Sequence, residues 1–176
     1  MFASKSQFCY LCVNFKTKTI MKKLLFLICA LFMVGVSQAQ TPQTQPQQKV
    51  WKVGDVYNVN GKKGVVFTVS PDGQHGVIIS LKSTYTDWHS GKYWCSSLGS
   101  GWRMPNMHEL QLIYAVKHTL NEALYWAKGS GLYGTHWSSS LFERDTTQPL
   151  LTDMSSGSAT YYEKSDKFYV RAVSSF

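Results

Sequence analysis

The feature that most constrains the fold is the segment at residues 21–40, which reads MKKLLFLICALFMVGVSQAQ. Two lysines precede an apolar stretch at residues 24–36, and Ser37-Gln38-Ala39 places small residues at the two positions that determine cleavage. This pattern predicts a secretory signal peptide over residues 21–39. The apolar stretch is too short for a transmembrane helix. We therefore expect an exported protein, periplasmic, at the outer surface or secreted, whose fold is built from later residues.

The chain on either side of this segment divides into three further parts. Because Met21 begins a complete signal peptide by itself, we interpret residues 1–20 as an upstream extension from a misplaced start codon. Residues 40–49 are rich in Gln and Pro and carry no large apolar side chain, which predicts a linker. Residues 50–176 are enough for one compact domain and too few for two.

Charge and cysteine content narrow the class of protein. Lys and Arg number 18 against 10 for Asp and Glu, but residues 1–39 contain five of the basic residues and no acidic one. The remaining net charge of +3 does not predict a nucleic-acid-binding protein. No apolar run reaches the length of a membrane span, so we expect none in the mature chain. Signal-peptide cleavage leaves Cys95 as the single cysteine, which excludes an intrachain disulfide.

The first half of the domain is predicted to contain a hairpin and the start of a helical region. Two β-branched runs at residues 65–69 and 77–81 flank the turn Pro71-Asp72-Gly73, which predicts two antiparallel strands. Apolar or small residues then recur at helical spacing from Trp88 to Leu98, with Asp87 as cap and Gly99 as stop.

The second half is predicted to contain one long helix and then short strands. Asn106 and Glu109 have the spacing of a capping box, and apolar residues continue on one face to about Ala127. Strands are expected at 135–142, 150–154, 159–163 and 167–173, the last two forming a closing hairpin. Strands, two helices and then strands make an α+β fold with no alternating β-α-β units.

Motifs associated with cofactors, metals or catalysis have simpler interpretations here. Residues 129–134 read GSGLYG, the glycine spacing of a dinucleotide site, but they follow a helix and precede a strand, which favours a connector. The five histidines never fall at a metal-ligand spacing, and no nucleophile elbow surrounds a serine. Cys95 on an apolar helix face is typical of a small core residue. We therefore expect no enzyme activity, no cofactor and no metal.

Aromatic residues are the outlier in composition. The 137 residues from Gln40 onward contain six Trp, nine Tyr and four Phe. Such side chains stack on sugar rings or fill cores, and four of the tryptophans lie in or beside predicted elements. We therefore favour a core role for these four, with stacking on a sugar as the alternative: Trp88, Trp94, Trp102 and Trp137.

Together, four segments resemble the C-terminal domain of the collagen-like adhesin Lcl, a domain of largely unknown function. The segments run from Asp87-Trp88 to Cys95 and Gly99, from Gly101-Trp102-Arg103-Met104-Pro105 to Leu110, over Trp137-Ser138-Ser139, and over Tyr169-Val170-Arg171-Ala172-Val173. The resemblance spans residues 50–176. It implies a C-type-lectin-like fold, two helices packed on a twisted antiparallel sheet with the chain ends close together.

The resemblance implies a binding or adhesion domain without catalytic activity, for an unknown glycan or surface protein. Gln148-Pro149 is followed by Leu150 and no Trp-Asn-Asp occurs, so the calcium-dependent sugar site of lectins is not expected. Formylglycine-generating enzymes resemble the fold but need paired cysteines to bind copper. Because Cys95 is the single cysteine of the mature chain, we do not expect this activity. A structural subunit of a surface or fimbria-like assembly is the alternative, and the oligomeric state stays open.

Three expectations concern individual residues. The ligand site is placed at Glu143, Arg144 and Asp145, together with Trp137 of the preceding strand, and a solvated turn is the alternative for the first three. Arg103 is expected to be an internal strut that donates hydrogen bonds to loop carbonyls.

The third expectation rests on the resemblance. Related domains commonly tie the first helix to the last strand by a disulfide, whereas this chain has Cys95 and Ala172 at those positions. The two residues should then face each other with Cα atoms within roughly 7 Å, and Cys95 should be a buried, unreactive thiol.

Overall fold

The structure, a computed structural model, describes residues 49–176; the proposed extension, the signal peptide and residues 40–48 of the linker lie outside the described residues. The described part is an α+β fold of seven strands and three helices. In chain order these are β1 (Val56–Val59), β2 (Lys62–Val69), β3 (Gly76–Thr86), α1 (Trp88–Ser97), α2 (Met107–Ala115), α3 (Lys117–Trp126), β4 (Thr135–Phe142), β5 (Asp145–Asp153), β6 (Ala159–Tyr161) and β7 (Phe168–Ser175). Within residues 49–176, no helix is long and apolar enough to cross a membrane.

All seven strands form one sheet, in the order β1-β2-β3-β7-β4-β5-β6. Every pairing is antiparallel except the single parallel contact between β4 and β7, where His136 faces Tyr169. The predicted β2–β3 hairpin is confirmed. The predicted closing hairpin is wrong, because β6 pairs with β5 at the sheet edge while β7 lies between β3 and β4. Five consecutive buried residues at 170–174 fit this central place, where both faces of a strand are covered.

The sheet carries apolar packing on both faces. Neighbouring residues of one strand enter different clusters, as Val65 and Val66 do on β2 and Ile78 and Ile79 on β3. This follows from the period of two along a strand. One cluster contains the apolar residues of α2 and α3, and the other contains Trp88 and Cys95 of α1. The helices therefore divide between the two clusters.

The predicted long helix after Asn106 is wrong as one element, so the described fold has three helices instead of two. The backbone leaves helical geometry at Val116, with φ −108° and ψ 15°, and restarts as α3. No Gly or Pro marks this break, and the apolar spacing continues across it. Leu110, Ile113, Leu120 and Leu124 still enter the same core cluster, as the predicted apolar face requires.

The predicted helix starts are confirmed. The Asp87 carboxylate accepts a hydrogen bond from the Ser90 amide and begins α1. Asn106 and Glu109 form a reciprocal capping box that begins α2. These contacts satisfy backbone N–H groups that have no partner inside a helix.

The segments that carry the family resemblance contact one another. The Trp88 indole donates a hydrogen bond of 2.8 Å to the Ser138 carbonyl, and the Ser139 amide donates one of 2.7 Å to the Pro105 carbonyl. Arg103 and Val173 form a two-way backbone bridge. The segment between α1 and α2 reaches this bridge through Gly101, whose φ of 81° favours glycine.

Arg103 is not the internal strut that the sequence predicts. Its side chain is about half exposed, and its two short hydrogen bonds, 2.7 and 2.6 Å, go to the two carboxylate oxygens of Glu109. The strut is Arg171, which is fully buried and donates to the carbonyls of Ser80, Ser130 and Gly131. Arg103 sits on a surface segment beside an acidic helix start, whereas Arg171 lies on the central strand.

Cys95 and Ala172 are both fully buried in one core cluster, and α1 packs against β7. Burial raises the pKa of the Cys95 thiol to about 12. The thiolate that nucleophilic chemistry requires is therefore strongly disfavoured at neutral pH. The domain ends also approach each other, since the rings of Trp51 and Phe176 lie 5.8 Å apart.

Candidate functional site

The outward side of α1 combines an aromatic ring with basic and hydroxyl side chains. Trp88, Gly91 and Cys95 face the core. The complementary positions are exposed and recur at three-residue and four-residue spacing: His89, Lys92, Tyr93 and Ser96. Tyr93 is 76% exposed, a large area for an aromatic ring. We call these four residues and the two cavities beside them the α1 surface.

One cavity of the α1 surface, about 420 Å³ in volume, lies between α1 and the segment that leads to α2. Its lining is Lys92, Tyr93, Ser96, Trp102, Arg103, Met104 and Ser139. Tyr93 and Trp102 supply aromatic surface, while Ser96 and Ser139 supply polar groups. The charge of Arg103 is already paired with Glu109, and this contact lowers the pKa of the Glu109 carboxyl against the effect of its burial. Among the described residues, Lys92 is the cation of this lining that no carboxylate contacts.

The second cavity, about 610 Å³ in volume, lies at the start of α1. It is lined by Asp87, His89, Thr147, Glu163, Lys164, Ser165 and Lys167. The Asp87 carboxylate caps α1, and its hydrogen bonds from Ser90 hold its pKa below the ordinary value. Lys164 anchors the segment between β6 and β7, because its carbonyl accepts a hydrogen bond from the Trp88 amide.

The ring of Trp88 contacts one lysine from the lining of each cavity. The Lys92 ammonium lies 4.5 Å from the centroid of its ring, and the Lys164 ammonium lies 5.2 Å from it. Each lysine also lines one of the cavities. Attraction between ammonium groups and the ring face orients both side chains toward α1. The buried tryptophan therefore attracts one cation from the lining of each cavity.

Three of the sequence-predicted site residues lie together at the β4–β5 turn, and the fourth, Trp137, lies in the core. Glu143 and Arg144 are exposed in the two-residue turn between β4 and β5, not in a long loop. Asp145 begins β5, and hydrogen bonds from Thr147 hold the pKa of its carboxyl below the ordinary value. Trp137 is fully buried, and its indole donates to the Thr86 carbonyl. Its assignment to a ligand site is wrong, because a core tryptophan has no surface to offer a ligand.

The hairpin of these predicted residues nevertheless adjoins the α1 surface. Thr147, two residues beyond Asp145, lines the larger cavity. Gln148 donates a hydrogen bond of 3.2 Å to Glu163, another lining residue. Three of the predicted residues therefore lie at the β4–β5 turn, and β5, which follows this turn, contributes Thr147 to the larger cavity.

Sequence reasoning did not select His89, Lys92, Tyr93 or Ser96, although a signal for them was present. Once the apolar face of the first helix was assigned, the opposite face followed from helical periodicity. That face contains one aromatic residue among polar ones, which is the informative feature. No periodic signal pointed to Lys164 or Lys167, which the tertiary structure brings to α1.

In the part of the chain that the structure describes, no group of three or more His, Cys, Asp or Glu side chains could hold a metal ion. The groups that the α1 surface offers to a ligand include aromatic rings, hydroxyls and ammonium groups.

Comparison with known families decides the classification. The sequence model of the Lcl C-terminal domain matches residues 50–174. The chain belongs to the Lcl C-terminal domain family. No curated protein matches the chain. The match to the Lcl C-terminal domain includes α1, both segments that flank it and nearly all of β7, so the α1 surface lies within the family domain.

Proposed function

We propose that the chain is an exported adhesion domain without catalytic activity, and that it binds a glycan through the α1 surface. The observation that carries the proposal is the highly exposed ring of Tyr93 beside the hydroxyl of Ser96 and the ammonium of Lys92. Sugar rings offer C–H faces that stack on aromatic rings and hydroxyls that pair with polar groups. Tyrosine supplies such contact area at a low cost in conformational entropy.

The shape of the α1 surface supports a carbohydrate ligand. Ligand sites are commonly concave, with apolar lining and a few polar groups that fix orientation. The first cavity meets this description, because Tyr93, Trp102 and Met104 line it beside polar groups. The second cavity is lined by polar and charged side chains, which suit the hydroxyls of a sugar. Lys92 and Lys164 give the α1 surface cations for acidic or neutral sugars.

We further propose the C-type-lectin-like form of the α+β fold. Support comes from the central β7, the packing of α1 against it, and the contact between Trp51 and Phe176 at the two domain ends. The signal-peptide pattern at residues 21–39 supports export. The absence of catalysis is supported by Cys95, whose buried thiol has a strongly raised pKa.

The test is binding of the purified protein to an array of neutral and acidic oligosaccharides. Tyr93→Ala should weaken binding by at least about tenfold, the effect expected for an aromatic residue at the centre of an interface. Tyr125→Ala is the matched control, because Tyr125 is also helical and is 74% exposed. It should bind as the wild type does.

Two outcomes would contradict the proposal. Loss of binding on replacing Glu143, Arg144 and Asp145, with no effect of Tyr93→Ala, would move the site to the β4–β5 turn. Absence of any array signal, together with defined oligomers in light scattering, would favour a structural subunit of a surface assembly.

A further inference from the structure

The segment that joins α3 to β4, residues 127–134, is held from beneath by one buried cation. We call this segment the connector. Arg171 is 0% exposed and donates hydrogen bonds of 2.8 and 2.9 Å to the connector carbonyls of Ser130 and Gly131. A third bond, 2.9 Å long, goes to the Ser80 carbonyl of β3. This guanidinium faces only neutral acceptors. It holds the connector together with two other anchors, the hydrogen bond from the Ser130 amide to the Leu81 carbonyl and the buried side chain of Leu132.

A buried histidine lies at the end of the connector. His136 is 1% exposed, and its Nδ1 lies 3.3 Å from the Gly134 carbonyl. Because a carbonyl oxygen can only accept, Nδ1 carries the proton of the neutral ring and Nε2 is an acceptor. Nε2 is buried without a hydrogen-bond partner in the described part of the chain. A second proton would therefore enter an enclosed site with no acceptor for it.

The surroundings of His136 add positive charge. On β7, Tyr169 stacks on the ring at 5.6 Å, and the charge of Arg171 acts on His136. On β5, the paired residue Thr152 is uncharged. Asp153 at the end of β5 is the nearby acid, and it is already bonded to Ser155.

From α3, Lys117 reaches the Met154 carbonyl, and the Met154 amide in turn donates to the Gly134 carbonyl. Lys82 donates a hydrogen bond to the carbonyl of Lys128, which is itself a connector residue. Positive charge is thus placed on and around the connector by Lys82, Lys117, Lys128 and Arg171.

We propose that His136 and Arg171 form an acid-sensitive latch, in which uptake of a proton by His136 Nε2 releases the connector from the sheet. The proton comes from the solvent and no other covalent bond changes, while the hydrogen bonds from Arg171 to the Ser130 and Gly131 carbonyls are exchanged for hydrogen bonds to water. In the closed state the neutral ring lies beside Arg171. In the open state water reaches the ring, and the imidazolium is hydrated away from the guanidinium. The proton therefore binds more tightly to the open state than to the closed state, and proton binding shifts the population toward the open state.

The window for this release follows from the pKa values. Burial, with a further contribution from Arg171, lowers the pKa of His136 from 6.5 to about 4. The neutral His136 ring contributes its full stabilisation of the closed state above pH 6.5. This stabilising free energy is lost as the pH falls from 6.5 toward 4. With a pKa of 6.5 in the open state, the ratio of open to closed connector at pH 5 should be about 20 times its value at pH 7.

Release would rearrange a group of tyrosines that are not part of the α1 surface. The connector carries Tyr133, which is 70% exposed, and its end at Gly134 lies against the Tyr169 ring. The Tyr169 ring pairs with that of Tyr85 at 5.1 Å. The latch thus controls three neighbouring tyrosines, whereas the α1 surface contains none of these residues. Its operation is independent of the glycan-binding proposal.

Hydrogen exchange of the full chain measures the latch directly. Amide protection of the connector, corrected for the intrinsic pH dependence of exchange, is compared at pH 7 and pH 5. The wild type should lose about 20-fold in protection at connector amides such as Ser130 and Leu132, because opening is favoured by that factor. His136→Gln should keep the same protection at both pH values. His118→Gln is the control, because His118 is exposed on α3, and it should behave as the wild type.

The proposal is overturned if the wild-type protection does not change, or if His136→Gln shows the same loss. Should His136→Gln fail to fold, His136→Phe keeps a flat ring against Tyr169 and serves in its place. A pH series on the wild type gives a further criterion. Connector protection should begin to fall near pH 6.5, and a flat profile down to pH 5 contradicts the latch.

Discussion

At the scale of single residues, the two arginines of the family motifs differ in what surrounds them. Arg171 is enclosed and serves three carbonyls, whereas Arg103 lies at the surface and serves one carboxylate. A planar guanidinium matches several acceptors at once, which a lysine ammonium cannot do. The consequences of exchanging arginine for lysine should therefore differ between the two positions.

Arg171→Lys should lower the free energy of unfolding by about 2–4 kcal/mol, because buried carbonyls lose their partners. Arg103→Lys should cost less than about 1 kcal/mol, since the side chain is half exposed and a cation remains near Glu109. Urea denaturation of both variants measures the difference. A larger loss for Arg103→Lys would restore the strut role that the sequence assigned to it.

At the scale of elements, local signals set where helices begin but not where they stop. Asn106 and Glu109 stand three residues apart and form the capping box that this spacing predicts. The end of α2 at Val116 has no comparable residue, and the apolar pattern continues into α3. A helix start depends on hydrogen bonds between residues a few positions apart, whereas this break depends on how two segments pack on one sheet.

Asn106→Ala should destabilise the protein by about 1 kcal/mol, the typical cost of removing an N-cap. The reason is that the Glu109 amide loses its acceptor, the Asn106 side chain. Asn58→Ala in β1 is the control, because Asn58 is exposed and a surface change stays within about 0.5 kcal/mol. Thermal unfolding followed by circular dichroism compares the two, and equal midpoints would contradict a role for the cap.

At the scale of the whole molecule, β7 connects parts that are distant in the chain. It pairs with β3 and β4, bridges to Arg103, and packs against α1 through the cluster that contains Cys95 and Ala172. Removing this strand from the centre would divide the sheet into two parts. Its contacts with α1 offer a direct test of the topology.

Ala172→Cys should form a disulfide with Cys95 and close a loop of 77 residues, the difference between the two numbers. The chain-entropy account predicts a gain of roughly 4 kcal/mol before strain is subtracted. Mass spectrometry under oxidising conditions detects the bond, and denaturation with and without reductant measures its effect. A cysteine pair that stays reduced would count against the α1–β7 pairing.

The candidate site shows how far sequence reasoning reaches. The exposed face of α1 is fixed by periodicity, so Lys92, Tyr93 and Ser96 could have been selected from the sequence alone. The assignment of Trp137 failed because its exposure depends on what packs over β4. Lys164 reaches Trp88 only through the return of the chain after β6, which no local pattern encodes.

The sequence by itself determined the α+β class, the first hairpin, the helix starts and the core role of tryptophans such as Trp88 and Trp102. These depend on side-chain periodicity and on contacts between residues a few positions apart. Only the tertiary structure decided that β7 lies between β3 and β4, and that Arg171 rather than Arg103 is enclosed. Both outcomes follow from long-range pairing, which selects the arrangement that buries the most apolar surface and leaves buried polar groups with partners.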